Sequence, residues 1–380
     1  MSYSSPSVLS DLKVLNYSYD SFSRLSSYTD TTNGKTVSYT YDSYGNITSE
    51  ITSMNNGTTT TATFSYDNLN RIISVNGAPV SYYTDSFLMS SIGYSNLYYS
   101  GKRLMSISGG SSSLFPSMSF TYDYRGRRTS KTVNNLRHDY YYDEDRLIYE
   151  TITNNSNIVI HKIVYYYDEK GLLSHLNVDN NNYFYYVDSF YNVRGLYDEN
   201  GIIVVKYEYD PWGNVTSIVD NSNIGLSTLN PFLYKSYYYD HESHLYYCLS
   251  RYYIPFLKRW LTIDDVSYLN TNTPNGYNLY IYCNNNPVMY RDEKGRFAVS
   301  IGLSTLVTIG LVSFAFGLYT YLLGEINEGE ALFEQYNKDS QVIYIKNDKT
   351  GILDRIKIET SALIMNPIQM FGFLMALRKT

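Results

Sequence analysis

The chain repeats a Tyr-Asp pair at similar intervals through its first 210 residues, and this spacing constrains its fold more than any other feature. The pairs are Tyr19-Asp20, Tyr41-Asp42, Tyr66-Asp67, Tyr122-Asp123, Tyr142-Asp143, Tyr167-Asp168 and Tyr209-Asp210. Successive aspartates lie 22, 25, 56, 20, 25 and 42 residues apart, so each long interval is near twice a short one. We infer one degenerate copy in each long interval, at 98–104 and at 187–193, which gives nine copies. Self-similarity of this kind predicts a repeat architecture.

Each copy combines a strand pattern with a turn pattern. In Tyr39-Thr40-Tyr41 two aromatic residues flank a polar one, which places the rings on one face of a β-strand. The aspartate and the Gly45-Asn46 pair that follow favour a tight turn, because Asp accepts local N–H bonds and Gly and Asn tolerate left-handed conformations. One period is therefore one β-hairpin. Since a lone hairpin is marginal in water and strands twist, the hairpins are expected to pair into a curled or spiral sheet.

The abundance of tyrosine agrees with this mainly-β prediction. The chain has 46 Tyr and 15 Phe but only 2 Trp, a usage typical of half-buried strands. Most of these rings are expected to pack in the core and across strands. The runs 140–142 and 165–167 place rings on both faces of a strand, so the alternative is a groove that binds carbohydrate or peptide.

Charge and residue usage argue against several classes of function. The net charge is −6 and the pI about 5.4, which disfavours nucleic-acid binding because no basic field covers the chain. Cys248 and Cys283 are too few for a disulfide framework and are expected as buried apolar residues, with one bridge as the alternative. The five histidines are scattered, and His241 and His244 lack a further ligand at metal spacing. We therefore predict surface histidines, and no metal or cofactor.

The Tyr-Asp copies resemble the YD repeats of the RHS family. The stretch 207–214, Tyr-Glu-Tyr-Asp-Pro-Trp-Gly-Asn, is a near-verbatim match to the family's last repeat. The block after it is similar to the RHS repeat-associated core domain. The matching elements are Asn230-Pro231-Phe232, Ser250-Arg251-Tyr252-Tyr253, Arg259-Trp260-Leu261, Asn278-Leu279-Tyr280 and Asn285-Asn286-Pro287. The resemblance divides the chain into repeats at 1–222, a core at 223–296 and a variable C-terminal region at 297–380.

This resemblance implies a shell of curled β-sheet that encloses a C-terminal polypeptide, which in bacterial members is commonly a toxin. Nine copies are few for a complete enclosure, so the chain is expected to form a partial RHS shell. The predicted function is a structural, encapsulating segment that carries a polymorphic-toxin-like effector. The alternative is a membrane-anchored surface protein that offers tyrosine-rich sheets to glycans or neighbouring cells, as adhesive relatives such as the teneurins do.

The resemblance also implies candidate chemistry in the core, although no other enzymatic activity is predicted. In similar toxin-complex components the core resembles an aspartic self-protease with two Asp-Pro-x-Gly motifs. Asp264 and Asp292 match the two acids, and Arg251 matches the core's arginine. Paired acids suit this reaction because one acts as base toward water and the other as acid toward the amide. The arginine would orient or neutralise a carboxylate.

Three substitutions distinguish this chain from the motif. Asp265 and Glu293 replace the prolines, and Arg296 replaces an apolar residue at the expected cleavage position. By the resemblance, cleavage would fall between Arg296 and Phe297 and would release the C-terminal region. The alternative is a core whose acids only satisfy turns and strand ends.

The C-terminal region begins with a stretch, 297–324, that has no charged residue before Glu325. Its length predicts a transmembrane or membrane-inserting helix at 298–323, and the alternative is an apolar passenger inside the shell. Basic residues precede it and acidic residues follow it, which would place its N-terminal side toward cytoplasm. Further on, 341–351 predicts a strand and a turn, and 361–377 is a second apolar stretch interrupted by Pro367.

These features define the expected partners and location. We expect the membrane, through 298–323, and the chain's own C-terminal region as cargo. An immunity protein, a target-cell component and carbohydrate are further candidates. The chain is expected to be membrane-associated, at the cell surface or secreted, although the first residues contain no basic start or apolar run and no signal peptide is visible. The absence of His and Cys after Cys283 argues against a His-based nuclease or a cysteine peptidase as cargo.

Overall fold

The computed structural model describes residues 15–268, 274–292, 294–296, 298–300, 342–346 and 353–357. Only the backbone is described at 274–275, 299–300, 342–346 and 353–357. The chain divides into two compact units, Met1–Gly302 and Leu303–Thr380, and each is described by itself.

Twenty strands of the first unit form one antiparallel sheet in which each strand pairs with the next along the chain. They are β1 Leu15–Tyr19, β2 Leu25–Asp30, β3 Lys35–Tyr41, β4 Ile47–Met54, β5 Thr59–Tyr66, β6 Ile72–Val75, β7 Ala78–Tyr82, β8 Met89–Ile92, β9 Ser95–Ser100, β10 Arg103–Ser108, β11 Met118–Tyr122, β12 Arg128–Val133, β13 Leu136–Asp143, β14 Arg146–Asn154, β15 Val159–Tyr167, β16 Leu173–Val178, β17 Asn181–Val187, β18 Val193–Tyr197, β19 Ile203–Tyr209 and β20 Val215–Asp220. The predicted mainly-β repeat of hairpins is confirmed.

The sheet curls so that its beginning and its end lie close together. The ring of Tyr39, in β3, meets the ring of Trp212, in the turn after β19, edge to face with centroids 5.7 Å apart. Both rings are buried, and Trp212 is 0% exposed. Such a contact between distant strands requires accumulated strand twist, which is the origin of the predicted curl.

The aspartate of most copies organises the turn that follows it. Asp20 Oδ1 accepts the backbone N–H groups of Phe22 at 2.9 Å and Arg24 at 3.0 Å, and its Oδ2 accepts Arg24 Nε at 2.6 Å. The same pair of backbone bonds, two and four residues on, recurs at Asp42, Asp67, Asp168, Asp188, Asp198 and Asp210. These carboxylates therefore accept hydrogen bonds from backbone N–H groups that have no backbone acceptor in the turn.

In most pairs the tyrosine links its hairpin to the preceding one. Tyr41 donates its hydroxyl to the Leu25 carbonyl at 2.6 Å, and Tyr66 donates to the Ile47 carbonyl at 2.8 Å. Equivalent bonds join Tyr122 to Leu104, Tyr167 to Leu147 and Tyr209 to Val193. The Tyr-Asp pair is thus a structural unit, in which the acid shapes the turn and the ring connects neighbours.

The number of copies was predicted incorrectly in the longest interval. Between Asp67 and Asp123 the chain makes two connections on the same edge of the sheet, at 83–88 and 101–102, where one was expected. The strands here, β6 to β9, have only four to six residues, which shortens the period. Tyr197-Asp198 is a further pair with the same turn bonds, but it lies on the opposite edge of the sheet.

The core block follows β20 and is built from short elements. It contains helix α1 Leu226–Leu229, strands β21 Tyr238–Asp240, β22 Leu245–Cys248, β23 Arg251–Ile254 and β24 Arg259–Trp260, and 3₁₀ turns at Tyr234–Ser236, Val266–Tyr268, Pro274–Tyr277 and Cys283–Asn285. Strands β21 to β24 form an antiparallel sheet of their own whose side chains are buried. Strand β25 Tyr290–Arg291 pairs with β26 Val299–Ser300.

The core block donates hydrogen bonds to the turns along one edge of the repeat sheet. Asn285 Nδ2 donates to the Gly45 carbonyl at 2.7 Å, and Tyr246 donates its hydroxyl to the Gly213 carbonyl at 2.8 Å. Similar bonds reach Ser23 from Asn286, Asn70 from Arg259, Phe87 from Tyr280, Tyr191 from Ser236, Pro211 from Tyr234 and Trp212 from Tyr253. The core therefore closes this edge by satisfying turn carbonyls that would otherwise lack partners.

The predicted helix at 298–323 lies mostly outside the described residues. Its described beginning, Val299–Ser300, is strand β26, because its backbone pairs with Tyr290–Arg291. Within the described ranges, no helix combines the length and the apolar character needed to cross a membrane. In the second unit, β27 Val342–Lys346 pairs antiparallel with β28 Leu353–Lys357, which confirms the strand expected within 341–351. The apolar stretch 361–377 lies outside the described residues.

Candidate functional site

The three candidate residues of the core meet at one guanidinium group. Arg251 Nη2 lies 2.7 Å from Asp264 Oδ2 and 3.2 Å from Asp292 Oδ2. The side chains of Arg251 and Asp292 are 6% and 4% exposed, and that of Asp264 is 16% exposed. The two carboxylates are therefore held by a cation between them, which differs from a dyad that shares one proton.

Arg251 is placed by strand β23 and by an aromatic neighbour. Its guanidinium lies 4.1 Å from the centre of the Trp260 ring, in β24, which allows a cation–π contact. Burial lowers the pKa of Arg251, and the charges of Asp264 and Asp292 oppose that shift. The guanidinium remains the cation of the cluster at neutral pH.

Asp264 follows β24 and is anchored through its own backbone. Its N–H donates to the Leu279 carbonyl at 3.1 Å, and its Oδ1 accepts the N–H of Asp265 at 2.9 Å. Burial raises the pKa of Asp264, and Arg251 partly offsets that rise. Of the two acids, Asp264 is the one that faces more solvent.

Asp292 begins a turn of the same type as the repeat turns. Its Oδ1 accepts the N–H of Arg296 at 2.8 Å, which is the four-residue bond seen at Asp20 and Asp210. Gly295 has a φ of 67°, as Gly213 has a φ of 88°, so a left-handed glycine occupies the same position in both turns.

Two neighbouring donors hold the carbonyl oxygen of Gly295. Arg251 Nε lies 2.5 Å from this oxygen and Ser250 Oγ lies 2.6 Å from it. Ser250 Oγ also lies 2.8 Å from the Lys294 carbonyl oxygen. Sequence reasoning missed Ser250, although it directly precedes Arg251 in the core motif. Phe297, on the far side of the expected cleavage position, lies outside the described residues.

A basic cavity of about 410 Å³ opens beside this site. Its charged lining residues are Lys102, Arg103, Arg125, Arg127, Asp145, Arg251, Lys294 and Arg296. Arg251 pairs with the two candidate acids, and Lys294 pairs with Asp145 at 2.7 Å. Ser250 also lines the cavity, so the groups that hold the Gly295 carbonyl border a space that water can enter.

The two cysteines and the histidines at 241 and 244 have contacts typical of structural residues. Cys248 and Cys283 are free and buried, as expected. His241 contacts the Asn230 carbonyl at 3.1 Å, and His244 contacts the Tyr239 hydroxyl at 2.7 Å. No cluster of metal-ligating side chains occurs among the residues described.

One histidine prediction was wrong. His138 is buried, and its Nδ1 lies 2.6 Å from Glu150 Oε1. The hydroxyls of Tyr165 and Tyr238 also donate to Glu150. Because these partners satisfy its carboxylate, Glu150 can be buried in the sheet, and His138 is buried beside it.

Comparison with known proteins identifies the repeats and the core together. The family model described as the teneurin YD-shell matches residues 8–288. The chain belongs to the teneurin YD-shell family. The predicted resemblance to RHS/YD-repeat proteins is thereby confirmed.

Two kinds of relative are similar to this chain. The tRNA3(Ser)-specific nuclease WapA of Bacillus spizizenii is 34% identical over 189 residues, which are 48% of this chain and 8% of the relative. The tRNA nuclease WapA of Bacillus subtilis is 33% identical over 189 residues, with the same coverage. The Tc holotoxin pore of Photorhabdus luminescens superposes with a TM-score of 0.60 at 20% identity, over 75% of this chain and 15% of that chain. The TcdB2–TccC3 complex superposes with a TM-score of 0.59 at 20% identity, over 74% and 16%.

The matched regions are a small fraction of each of these proteins. The chain spans 8% of the length of the curated relatives and 15% to 16% of the solved chains, so it corresponds to a small part of each. The solved structures share the YD-shell fold with this chain.

Proposed function

We propose that this teneurin YD-shell chain is a segment of an RHS-type shell that carries its C-terminal region, 297–380, as an effector. The observation that carries the proposal is the closure of one sheet edge by the core block. Because the core satisfies turn carbonyls from Ser23 to Gly213, the repeats and the core form one wall, and the Asp292 turn directly precedes the C-terminal region. Relatives named as toxin and nuclease proteins support an effector beyond this point.

Expression of residues 297–380 alone in a bacterium tests the effector. Growth arrest is expected, and because 298–323 is apolar and uncharged, the arrest should coincide with loss of membrane potential. A control that replaces Leu306 and Leu311 with Asp should restore growth, since charges at the centre of a membrane segment are costly. Unimpaired growth with the unaltered segment would overturn the effector role.

The second reading is a membrane-anchored adhesion protein. The exposed Tyr94 and Tyr124, 86% and 85% accessible, are the observation that favours a binding surface for carbohydrate. Cell fractionation separates the readings, since uncleaved chain in the membrane fraction supports an anchor and soluble full-length chain supports an enclosed cargo.

An effector would also require export to the surface or beyond and a neutralising partner in the producing cell.

Self-cleavage of the core is a further proposal, and it would release the effector. The bridging of Asp264 and Asp292 by Arg251 favours it, because this contact gathers the two acids and a cation beside a peptide bond. Full-length protein is expected to yield two bands on a gel, and Asp292→Asn is expected to yield one. Asp265→Asn is the matched control, because Asp265 is exposed and lies outside the cluster. A single band for the wild type would refute self-cleavage.

A further inference from the structure

The cavity beside the core is basic, although the chain as a whole is acidic. Seven of the residues that line this space of about 410 Å³ are Lys or Arg and one is an acid, whereas the whole chain has 30 Lys and Arg against 36 Asp and Glu. The repeats supply four of the cations and the core supplies three: Lys102, Arg103, Arg125 and Arg127, then Arg251, Lys294 and Arg296. The cluster therefore depends on the contact between the two parts of the wall.

Three of the seven cations are paired with acids. Arg127 Nε lies 2.7 Å from Asp123 Oδ2. Lys294 pairs with one carboxylate, and Arg251 lies between the two carboxylates described above. Seven cations and four acids thus line the cavity or pair with its lining, which leaves an excess of three positive charges beside a space that water can enter.

The other four cations are free to contact a ligand. They are exposed, and among the described residues no carboxylate lies within ion-pair distance of them: Lys102, Arg103, Arg125 and Arg296. Neutral groups hold two of them, since Lys102 Nζ donates to the Asp264 carbonyl at 3.2 Å and Arg125 Nε donates to the Tyr124 hydroxyl at 2.9 Å. Such contacts position a cation without neutralising its charge.

An equivalent arginine elsewhere in the repeats provides an internal comparison. Arg103 begins β10 and packs its guanidinium against Gly126 in a later turn, where an added Cβ would lie 2.9 Å from Nη2. Arg146 begins β14 and packs against Gly171 in the same way, with the corresponding distance at 2.7 Å. The turn at Gly171 has a glutamate and a lysine before its glycine, whereas the turn at Gly126 has an arginine on each side. The position of Arg103 is therefore a structural feature of the repeats, and the clustering of cations around it is particular to this cavity.

The donors and the charge suit an anion with more than one phosphate group. A guanidinium presents paired N–H donors in one plane that match two oxygens of a phosphate. Two phosphate groups carry about three to four negative charges at neutral pH, which matches the local excess of positive charge. The volume of the cavity lies within the range of sites that hold small molecules, about 300–1,000 Å³.

We propose that this cavity binds a small anion with two or more phosphate groups, held by Arg103 and Arg125 from the repeats and by Arg296 from the core. The proposal depends neither on an effector nor on self-cleavage. Such a ligand connects the repeat turns to the core at the residue that precedes the C-terminal region.

Isothermal titration calorimetry of the full chain with pyrophosphate tests the site. One ion is expected to bind per chain, with an affinity that falls as salt is added because the cations are exposed. Orthophosphate, with one phosphate group, and citrate, with three carboxylates, are each expected to bind about tenfold more weakly, since each loses at least one charge-assisted contact. Equal binding of citrate would overturn the assignment to phosphate. Absence of pyrophosphate binding, or binding of several equivalent ions per chain, would overturn the site.

Variants of two arginines test the residues that hold the anion. Arg103→Gln and Arg125→Gln are each expected to weaken pyrophosphate binding about tenfold, the effect of losing one charge-assisted hydrogen bond. Arg146→Gln is the matched control and should leave the affinity unchanged, because Arg146 occupies the equivalent position away from the cavity.

The melting temperature of each variant without ligand distinguishes weak binding from unfolding. Arg125 is exposed in a turn, so its replacement tests the site even where Arg103→Gln lowers stability. Wild-type affinity in both folded variants would overturn the proposal, as would an equal loss of affinity in Arg146→Gln.

The phosphate groups could belong to a soluble anion or to a lipid headgroup, and a second assay distinguishes these sources. The chain is sedimented with phosphatidylcholine vesicles that contain a phosphoinositide bisphosphate, and with vesicles of phosphatidylcholine alone. Sedimentation that requires the bisphosphate and is lost in Arg125→Gln would support the site with a headgroup as its ligand. Pyrophosphate binding without sedimentation would support it with a soluble anion, and neither result would overturn it.

Discussion

The replacement Arg128→Met should destabilise the shell strongly, because it removes the central cation of a buried network between the repeats and the core. Arg128, at the start of β12, has a side chain that is 1% exposed, and its partner Asp240, at the end of β21, is 0% exposed. The pair is bidentate, with Nη1–Oδ2 at 2.6 Å and Nη2–Oδ1 at 3.0 Å. The guanidinium also lies 4.6 Å from the centre of the Tyr247 ring.

The magnitude follows from the loss of one partner of a buried ion pair. Lys131 Nζ remains 3.1 Å from Asp240 Oδ1, but Arg128→Met removes two charge-assisted bonds to the same carboxylate. Breaking such a pair costs about 3–5 kcal/mol because a buried charge is left undercompensated. For a unit of this size the loss corresponds to a decrease in melting temperature on the order of 5 to 10 °C.

A matched surface pair provides the control. Arg137 also bonds an aspartate, Asp139, in a bidentate arrangement, but its side chain is 59% exposed. Exposed pairs contribute about 0–1 kcal/mol, so Arg137→Met should change the melting temperature by no more than about 2 °C. Differential scanning calorimetry of the full chain measures both variants. Equal melting temperatures for Arg128→Met and Arg137→Met would refute the reasoning, since only the Arg128 pair is buried.

Three further predictions concern the pH dependence of the Asp240 ion pair, the hydroxyl of Tyr209 and the glycine at 295. Burial would raise the pKa of Asp240, but Arg128 and Lys131 hold that pKa below its usual value. The stabilising contribution of the Asp240 carboxylate is therefore present at neutral pH and is lost as the pH falls below about 4. The melting temperature of Asp240→Asn should therefore depend less on pH in that range than the melting temperature of the wild type. Tyr209→Phe should cost about 1–3 kcal/mol in denaturant titrations, because the Val193 carbonyl loses its buried donor; an unchanged midpoint would contradict the proposed link between hairpins. Gly295→Ala should destabilise more than Gly57→Ala in the same titrations, since both have positive φ but a Cβ at 295 would lie 2.7 Å from a backbone oxygen while the one at 57 meets open space.

The hairpins could be predicted from sequence because their determinants are local. Alternating aromatic residues specify a strand face, and an aspartate followed by Gly-Asn specifies a turn, within one period of the chain. Prediction failed where these signals were weak. The connection at 83–88 has no Tyr-Asp pair, so the interval around it was assigned one hairpin too few.

The role of the core could not be predicted from local patterns. Asn285 reaches Gly45 across 240 residues, and Asn286 reaches Ser23 across 263. Nothing in the sequence around these asparagines specifies a partner so distant, and only the curl of the sheet brings the pairs together. The family resemblance indicated Asp264 and Asp292, but it gave no signal that Ser250 would hold the neighbouring carbonyl.

Hydrogen exchange of the full chain tests most directly the central claim that the core closes one edge of the repeat wall. The N–H of Gly45 and the N–H of Gly57 each donate to a carbonyl within their own turn, at 3.2 Å and 2.9 Å. Asn285 covers the Gly45 turn, and the Gly57 turn lies on the opposite edge. The account predicts that the Gly45 amide exchanges roughly two- to tenfold more slowly than the Gly57 amide, because opening its turn must also break the bond to the core. Equal exchange at the two amides would contradict the claim.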